Sequence, residues 1–198
     1  LVFSDTSSCS TAQLLFEILD GLSFKSMINK DVAECIYAGI MTDTGSFKYS
    51  STTSKTHKVI SELIDAGAEN SKVHDLIYDN YSEDRTKLLG YCLNDKLQIF
   101  PKLNSAIISL TEEELDRFNF KKGDTEGVVN YALAIKGIIF AVFIAEKEGK
   151  VKLSLRSKGD FKVNEIAKKY FSGGGHMNAS GGISDRSVER TVKKVIEV

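Results

Sequence analysis

Two stretches of this chain hold residue types that could bind an anion, and a third holds a carboxylate that could bind a cation. Phe171 to Gly182 reads FSGGGHMNASGG, in which Gly173, Gly174 and Gly175 are followed by His176 and Asn178. Consecutive glycines reach backbone conformations closed to other residues and let a ligand approach the main chain. Successive N–H groups in such loops form concave anion nests. His176 can donate to a phosphate and changes charge near neutral pH. The stretch matches neither the phosphate-binding loop, which needs Gly-Lys-Ser/Thr, nor the dinucleotide fingerprint. A flexible Gly/Ser surface loop would have a similar composition, although a histidine and an asparagine between two helical patterns argue against that reading.

Arg156 closes an amphipathic strand pattern on its polar side and is followed by Ser157, Lys158 and Gly159. An arginine so placed can grip phosphate in bidentate fashion, with Ser157 adding a donor. A solvated strand end would carry the same residues. Asp43 stands where a helical pattern gives way to Gly45. A carboxylate there faces the negative end of the helix dipole, unfavourable by a few tenths to about 1 kcal/mol. Thr42, Thr44 and Ser46 surround it with small hydroxyls, as in a tight polar pocket. A divalent cation would reverse the repulsion, and an aspartate closing a turn on its own backbone would equally account for it. His57 and His74 fall within helical patterns and read as surface or lightly packed residues.

The elements that must position these groups divide near residue 95. Before it, apolar spacing predicts helices after the Ser7–Ser10 caps, over DVAECIYAGIM, over the segment ending at Gly67, from a Ser71 cap, and from Ser82 as a connecting helix. After it, LQIFPKLNSAIISL reads as two strands, and Thr111 with Glu114 as a capping box. DTEGVVNYAL reads as helical. GIIFAVFIAEKEGKVKLSLRSKG reads as a strand buried on both faces, a Glu148–Gly149 turn and an amphipathic strand. Helical VNEIAKKY, the glycine loop and a helix from about Ser187 complete the chain.

Composition bounds the reading further. The chain has 198 residues and a formal net charge of −1, so an anionic ligand must be held by a local site rather than a global field. Its 3 cysteines are scattered and odd in number, which fits a reducing compartment and no disulfide framework. Cys35, inside an apolar helical pattern, reads as core. No apolar run approaches the roughly 20 residues of a membrane span, and no signal peptide is visible. Leu1-Val2-Phe3 looks like a strand already under way, so the sequence reads as the C-terminal portion of a longer protein.

SGGGHMNASGG, preceded by VKLSLRSKGDFKVNEIA, resembles the DHHA1 domain of the DHH phosphoesterase superfamily. YAGIMTDTGSFKYSSTT resembles the last motif of the DHH domain, whose aspartate ligates a dinuclear manganese site, and SSCSTAQLLFEIL is similar to the helix after the Asp-His-His signature. The matches follow in order along nearly the whole chain. The branch most resembled is the bifunctional oligoribonucleases and phosphatases, which degrade very short RNAs and remove the 3′ phosphate of adenosine 3′,5′-bisphosphate.

The resemblance implies an α/β fold: residues 1–95 the mainly helical remainder of a DHH domain with its linker helix, residues 96–198 an α+β DHHA1 domain with a mixed sheet. It implies that Asp43 is a metal ligand of catalysis, and that Arg156, Ser157, Gly173, Gly174, Gly175 and His176, with Asn178 as a weaker candidate, bind phosphate or a terminal nucleotide. Two manganese ions in the intact enzyme, magnesium as an alternative metal, short RNA or adenosine 3′,5′-bisphosphate as substrate, and a cytoplasmic location come with it, and a homodimer stays open. The sequence departs from the family in one respect: it contains no Asp-His-His. Two-metal hydrolysis needs ions about 3.5–4 Å apart, which Asp43 alone does not assemble, so the chain by itself is expected to be inactive. The alternatives are a non-catalytic nucleotide or RNA-end binding module and an exopolyphosphatase. A single-strand DNA exonuclease is disfavoured by the near-neutral charge.

Overall fold

The computed structural model describes residues 3–5 and 7–198. Leu1 and Val2, assigned above to a strand under way, lie outside the described residues, and Phe3 beside them is unpaired and exposed. The chain forms two compact units, Leu1–Asn80 and Tyr81–Val198.

The first unit packs α1 (Thr11–Gly21), α2 (Lys30–Asp43), α3 (Ser54–Asp65) and α4 (Asn70–Tyr78). Small polar caps start three of them: the side chains of Ser10, Asn29 and Thr53 accept from the backbone of Gln13, Val32 and Thr56. In α2 the residues Ala33, Ile36, Tyr37 and Ile40 face inward at helical spacing and meet Phe16, Val59 and Leu63. Cys35 falls between those inward positions and is exposed, which corrects its reading as core. Ser71 does not cap α4 either. That helix begins one residue before it, at Asn70, with Glu69 at the cap position making no side-chain bond.

The second unit begins with α5 (Glu83–Asn94) and continues with β1 (Leu97–Phe100), β2 (Ser105–Leu110), α6 (Glu112–Asp116), α7 (Val128–Ala134), β3 (Phe140–Lys147), β4 (Lys150–Ser157), α8 (Val163–Tyr170), β5 (Gly174–His176), β6 (Ala179–Ser184) and α9 (Val188–Glu197). The sequence reading put its boundary at 95, with the Ser82 helix before it. In the structure Leu88 and Cys92 of that helix are buried with Ile108 and Val128, so α5 groups with the sheet. The strands run in the order β1-β2-β3-β4-β6-β5, and only the β2–β3 pair is parallel. A crossover through α6 and α7 makes that pair possible.

Helices cover both faces, which is why β3 is apolar at every position from Phe140 to Ile144. Ala141 and Phe143 face α5 and α7, while Val142 and Ile144 face α8 and α9 with Leu153 and Leu155. Each such large aliphatic side chain contributes about 1.5–3 kcal/mol. Two details differ from the sequence reading. DTEGVVNYAL is helical only from Val128, because Gly127 turns the chain in the left-handed region at φ +81°. The segment between α8 and α9 is a strand pair, β5 and β6, rather than a loop.

A half-buried carboxylate fastens α6 to α5. Glu114 returns a bond to the Thr111 N–H at 2.9 Å, completing the capping box, and accepts from Tyr91 Oη at 2.7 Å and Lys96 Nζ at 2.8 Å. Burial alone would raise its pKa, but the bonds from Lys96, Tyr91 and Thr111 outweigh it and hold the carboxyl down at about 2. A carboxyl depressed in the folded state stabilises fully above its ordinary value of about 4.5, and the contribution is lost as pH falls towards about 2. We expect Glu114→Gln to lose roughly 1–3 kcal/mol at pH 7 and to flatten the acid limb of the stability curve between those values. Denaturant melts of both proteins from pH 7 to 2 check this. Parallel acid limbs would show that Glu114 is not the group responsible.

Candidate anion-binding site and the Asp43 turn

β4 alternates. Val151, Leu153, Leu155 and Ser157 are buried on the α8/α9 face, while Lys152, Ser154 and Arg156 stand on the other. Directly opposed residues of antiparallel strands share a face, so the register fixes what lies beside them. Arg156 opposes Ala141 on β3 and Ala179 on β6, and Ala179 opposes His176 on β5. Arg156 and His176 therefore stand in one row on one face, two strand spacings or about 10 Å apart. The neighbouring row runs Phe143, Ser154, Gly181, Gly174. Its side chains shrink towards the edge, leaving a low floor beside the arginine and the histidine. Arg156 is half-buried and donates Nη1 to its neighbour Leu155 O at 3.0 Å, which leaves most of its planar fork for a ligand.

The three glycines have different reasons. A Cβ on Gly173 would stand 2.0 Å from Gly181 O, and one on Gly175, at φ +144°, 2.6 Å from Ala179 O. Those two are glycine because two backbones pass too close for a side chain. Gly174 is exposed, and a Cβ there would meet nothing within 4 Å, so only this glycine opens the floor to something outside.

Ser157 and Asn178 are directed elsewhere. Ser157 lies on the buried face, where its hydroxyl donates to Phe161 O at 2.5 Å and accepts from Asn178 Nδ2 at 2.9 Å. Asn178 Nδ2 also donates to Gly159 O at 2.8 Å. Backbone bonds from Ser157 to Asn178 and from Val163 to Met177 complete the lacing. In the structure these two side chains fasten the turn after β4 to the turn between β5 and β6.

On the Arg156 face, the segment from α6 to α7 and strands β3 and β4 enclose a groove of about 400 Å³. Arg156, Ser154, Lys152, Lys147 and Lys122 line it together with the ring of Phe120. The sequence reading missed the three lysines and Ser154. The signal was present in the alternation of Lys152, Ser154 and Arg156, which marks one face of β4 but does not say whether water or a wall lies opposite.

Asp43 belongs to the first unit. It is exposed and is the last residue of α2, as expected. The hydroxyls around it do not form a pocket. Thr42 Oγ1 donates to Ala38 O at 2.9 Å, and Thr44 Oγ1 donates to Ile40 O at 2.6 Å and accepts from Phe47 N at 3.0 Å. Ser46 Oγ meets His74 Nε2 at 3.2 Å, and His74 Nδ1 lies 2.9 Å from Asn70 O. Gly45, Ser46 and Phe47 are consecutively left-handed, with φ of 57°, 59° and 66°. Such conformations cost on the order of 1–3 kcal/mol per non-glycine residue and persist only where packing dictates them; here the Phe47 ring packs edge-on against Tyr37 at 5.7 Å. Among the described residues no group of three or more His, Cys, Asp or Glu could hold a metal ion. Asp43 is free to be one ligand, but these residues alone do not fit a two-ion site. No helix among them is long and apolar enough to cross a membrane.

Residues 104–198 match the DHHA1 domain family. Across 91% of the chain, 32% of residues are identical to a Bacillus subtilis protein named bifunctional oligoribonuclease and PAP phosphatase NrnA, of which the chain spans 56%. A Thermus thermophilus protein of the same name is 28% identical over 98% of the chain, which spans 58% of that protein. The crystal structure of an exopolyphosphatase-related protein from Bacteroides fragilis superposes with a TM-score of 0.94 at 42% identity, over 98% of this chain and 57% of that one. The chain thus spans somewhat more than half the length of each of these relatives.

The glycine geometry makes two neighbouring substitutions differ sharply. Gly173→Ala drives a methyl into backbone and is expected to cost on the order of 1–3 kcal/mol, whereas Gly174→Ala should change stability by no more than about 0.5 kcal/mol. Urea unfolding of the two variants measures the difference, and equal midpoints would contradict the close approach.

Proposed function

With residues 104–198 a DHHA1 domain, we propose that this chain is the substrate-gripping part and one metal ligand of a manganese-dependent DHH phosphoesterase. Its substrates in this reading are short oligoribonucleotides, including linear dinucleotides, and adenosine 3′,5′-bisphosphate. The observation that carries the reading is the strand register that sets Arg156 and His176 on one open face beside Gly174. The names of the Bacillus and Thermus relatives support the substrate class.

In this reading Arg156 takes two oxygens of a terminal phosphate in bidentate fashion. His176 donates to a third oxygen, and the bare backbone at Gly174 lets the ribose or phosphate lie close to the sheet. Contacts of this kind contribute roughly 1.5–3 kcal/mol each when charged and desolvated. Ser157 and Asn178 act one step removed, by holding the turns that carry Arg156 and His176. A bound metal ion would supply an activated water. Asp43 would be one of its ligands, the others coming from outside these residues, with magnesium as the alternative ion. Three free thiols accord with a cytoplasmic location.

A second reading, hydrolysis of inorganic polyphosphate, is favoured by the Bacteroides structure's description as exopolyphosphatase-related. The two differ in whether the substrate offers a base and ribose.

The test supplies 5′-phosphorylated diadenylate, adenosine 3′,5′-bisphosphate and polyphosphate with manganese to the protein including whatever sequence flanks these residues. We expect release of mononucleotide and phosphate from the first two and loss of both in Asp43→Ala. Turnover of polyphosphate alone would replace this reading with the second. His176→Ala should raise KM roughly tenfold or more with an unchanged melting temperature. An unchanged KM would remove His176 from the site.

A further inference from the structure

The two edges of the sheet are finished differently. At one edge β5 is three residues long, carries His176 and exposes Gly174, so it belongs to the candidate site. At the other edge β1 offers Leu97, Gln98, Ile99 and Phe100, with no charge or proline among them and an unbroken register to β2. An edge strand leaves a row of N–H and C=O groups unpaired, and proteins commonly guard that row with lysine, proline or a bulge. The nearest guards here are spent or displaced. The Lys96 charge is held by Glu114, and Pro101 opens the single turn Pro101–Leu103 beyond the end of the strand. The flanks are apolar as well. Ile99 is 47% exposed on the face it shares with Leu97. On the other face Leu103, 51% exposed, stands with Ile196 and Val198 around a pocket of about 170 Å³ at the end of β1.

The charges beside β1 say what kind of strand fits. Asp95 precedes it and Lys102 follows it, and both are exposed. Neither takes part in an ion pair among the described residues. A second β1 running antiparallel brings each Lys102 to the end where the other copy has Asp95. A parallel one would set like charges together.

We propose that β1 is a self-association edge, on which a second copy of this chain pairs its own β1 antiparallel across a twofold axis. Residues opposed across an antiparallel ladder agree in face and in the edge their N–H and C=O serve. A register centred on Gln98 or Ile99 therefore sets Ile99 against the partner's Leu97 or the partner's Ile99, an apolar neighbour in either case. The two six-stranded sheets become one. Its axis stands perpendicular to the sheet, so both Arg156–His176 rows lie on the same side, far from the join and uncovered. A twofold pair uses the same patch on both copies and closes at two. Four paired residues make a small interface, so the expected dissociation constant is about 1–100 µM. The pairing is independent of which substrate the site takes.

Sedimentation velocity of the protein, with whatever sequence flanks these residues, tests this at concentrations up to about 200 µM. The unaltered protein should associate as concentration rises. Ile99→Lys places a charge on the edge and should weaken association roughly tenfold or more. Asp95→Lys and Lys102→Glu each set like charges together at both ends of the pair, and each should weaken it about fivefold. Combining the two reversals should return the affinity to within about twofold of the unaltered protein. That recovery distinguishes antiparallel pairing at β1 from association through another surface. Melting temperatures within about 2 °C of the unaltered protein show that the variants are folded. A monomer at the highest concentration would overturn the proposal. Association that ignores Ile99→Lys, or a combined reversal no tighter than the single ones, would overturn it too.

Discussion

The candidate site depends on how closely two backbones pass. Gly173 runs so near Gly181 that a methyl group would stand 2.0 Å from a carbonyl oxygen. That contact lets a three-residue strand, β5, add to the edge of the sheet. Without β5, His176 would have no fixed relation to Arg156, because the only connection between them through the sheet is the ladder from β4 to β6 to β5. The lacing by Ser157 and Asn178 serves the same end from the buried side. It holds the turn after β4 against the turn between β5 and β6, so that both ends of the row move as one piece. A site built on strands in this way is more precise than one built on free loops.

The Asp43 turn follows another logic. Its hydroxyls are consumed internally, and two residues with side chains sit in the left-handed region. What is left facing solvent is a carboxylate at the negative end of a helix, where the dipole disfavours it. The packing of the Phe47 ring against Tyr37 holds the turn in this conformation.

Much of this was legible in the sequence, and the omissions share a cause. The helices of the first unit, the capping box at Thr111, the Glu148–Gly149 turn and the doubly buried β3 each rest on local patterns, and each is present in the structure. β6 escaped because ASGGIS has neither the branched residues nor the length of an ordinary strand. It pairs because its neighbours come close enough to need glycine, a tertiary reason invisible in propensity. Cys35 was misread because periodicity weighs a residue's type, while the helix face depends on its angle. Residues 173 to 178 read as one chemical unit in the sequence, but the structure separates them into packing glycines, one open glycine, a histidine on the Arg156 face and an asparagine on the other side. The groove lysines went unnoticed because they come from three segments, around residues 122, 147 and 152, that meet only in the fold.

The position of His176 on a three-residue edge strand has a consequence for how this region can change in evolution. Side chains alternate faces along a strand, so shifting the pairing of β5 with β6 by one residue would carry the imidazole to the opposite side of the sheet. Exchanging residues at the tip of the hairpin, Met177 for instance, leaves that parity intact, whereas inserting or deleting a single residue there does not. Chain length between His176 and Ala179 is therefore under tighter constraint than residue identity. Variation among functional descendants of this chain should take the form of substitutions at the tip rather than insertions or deletions there.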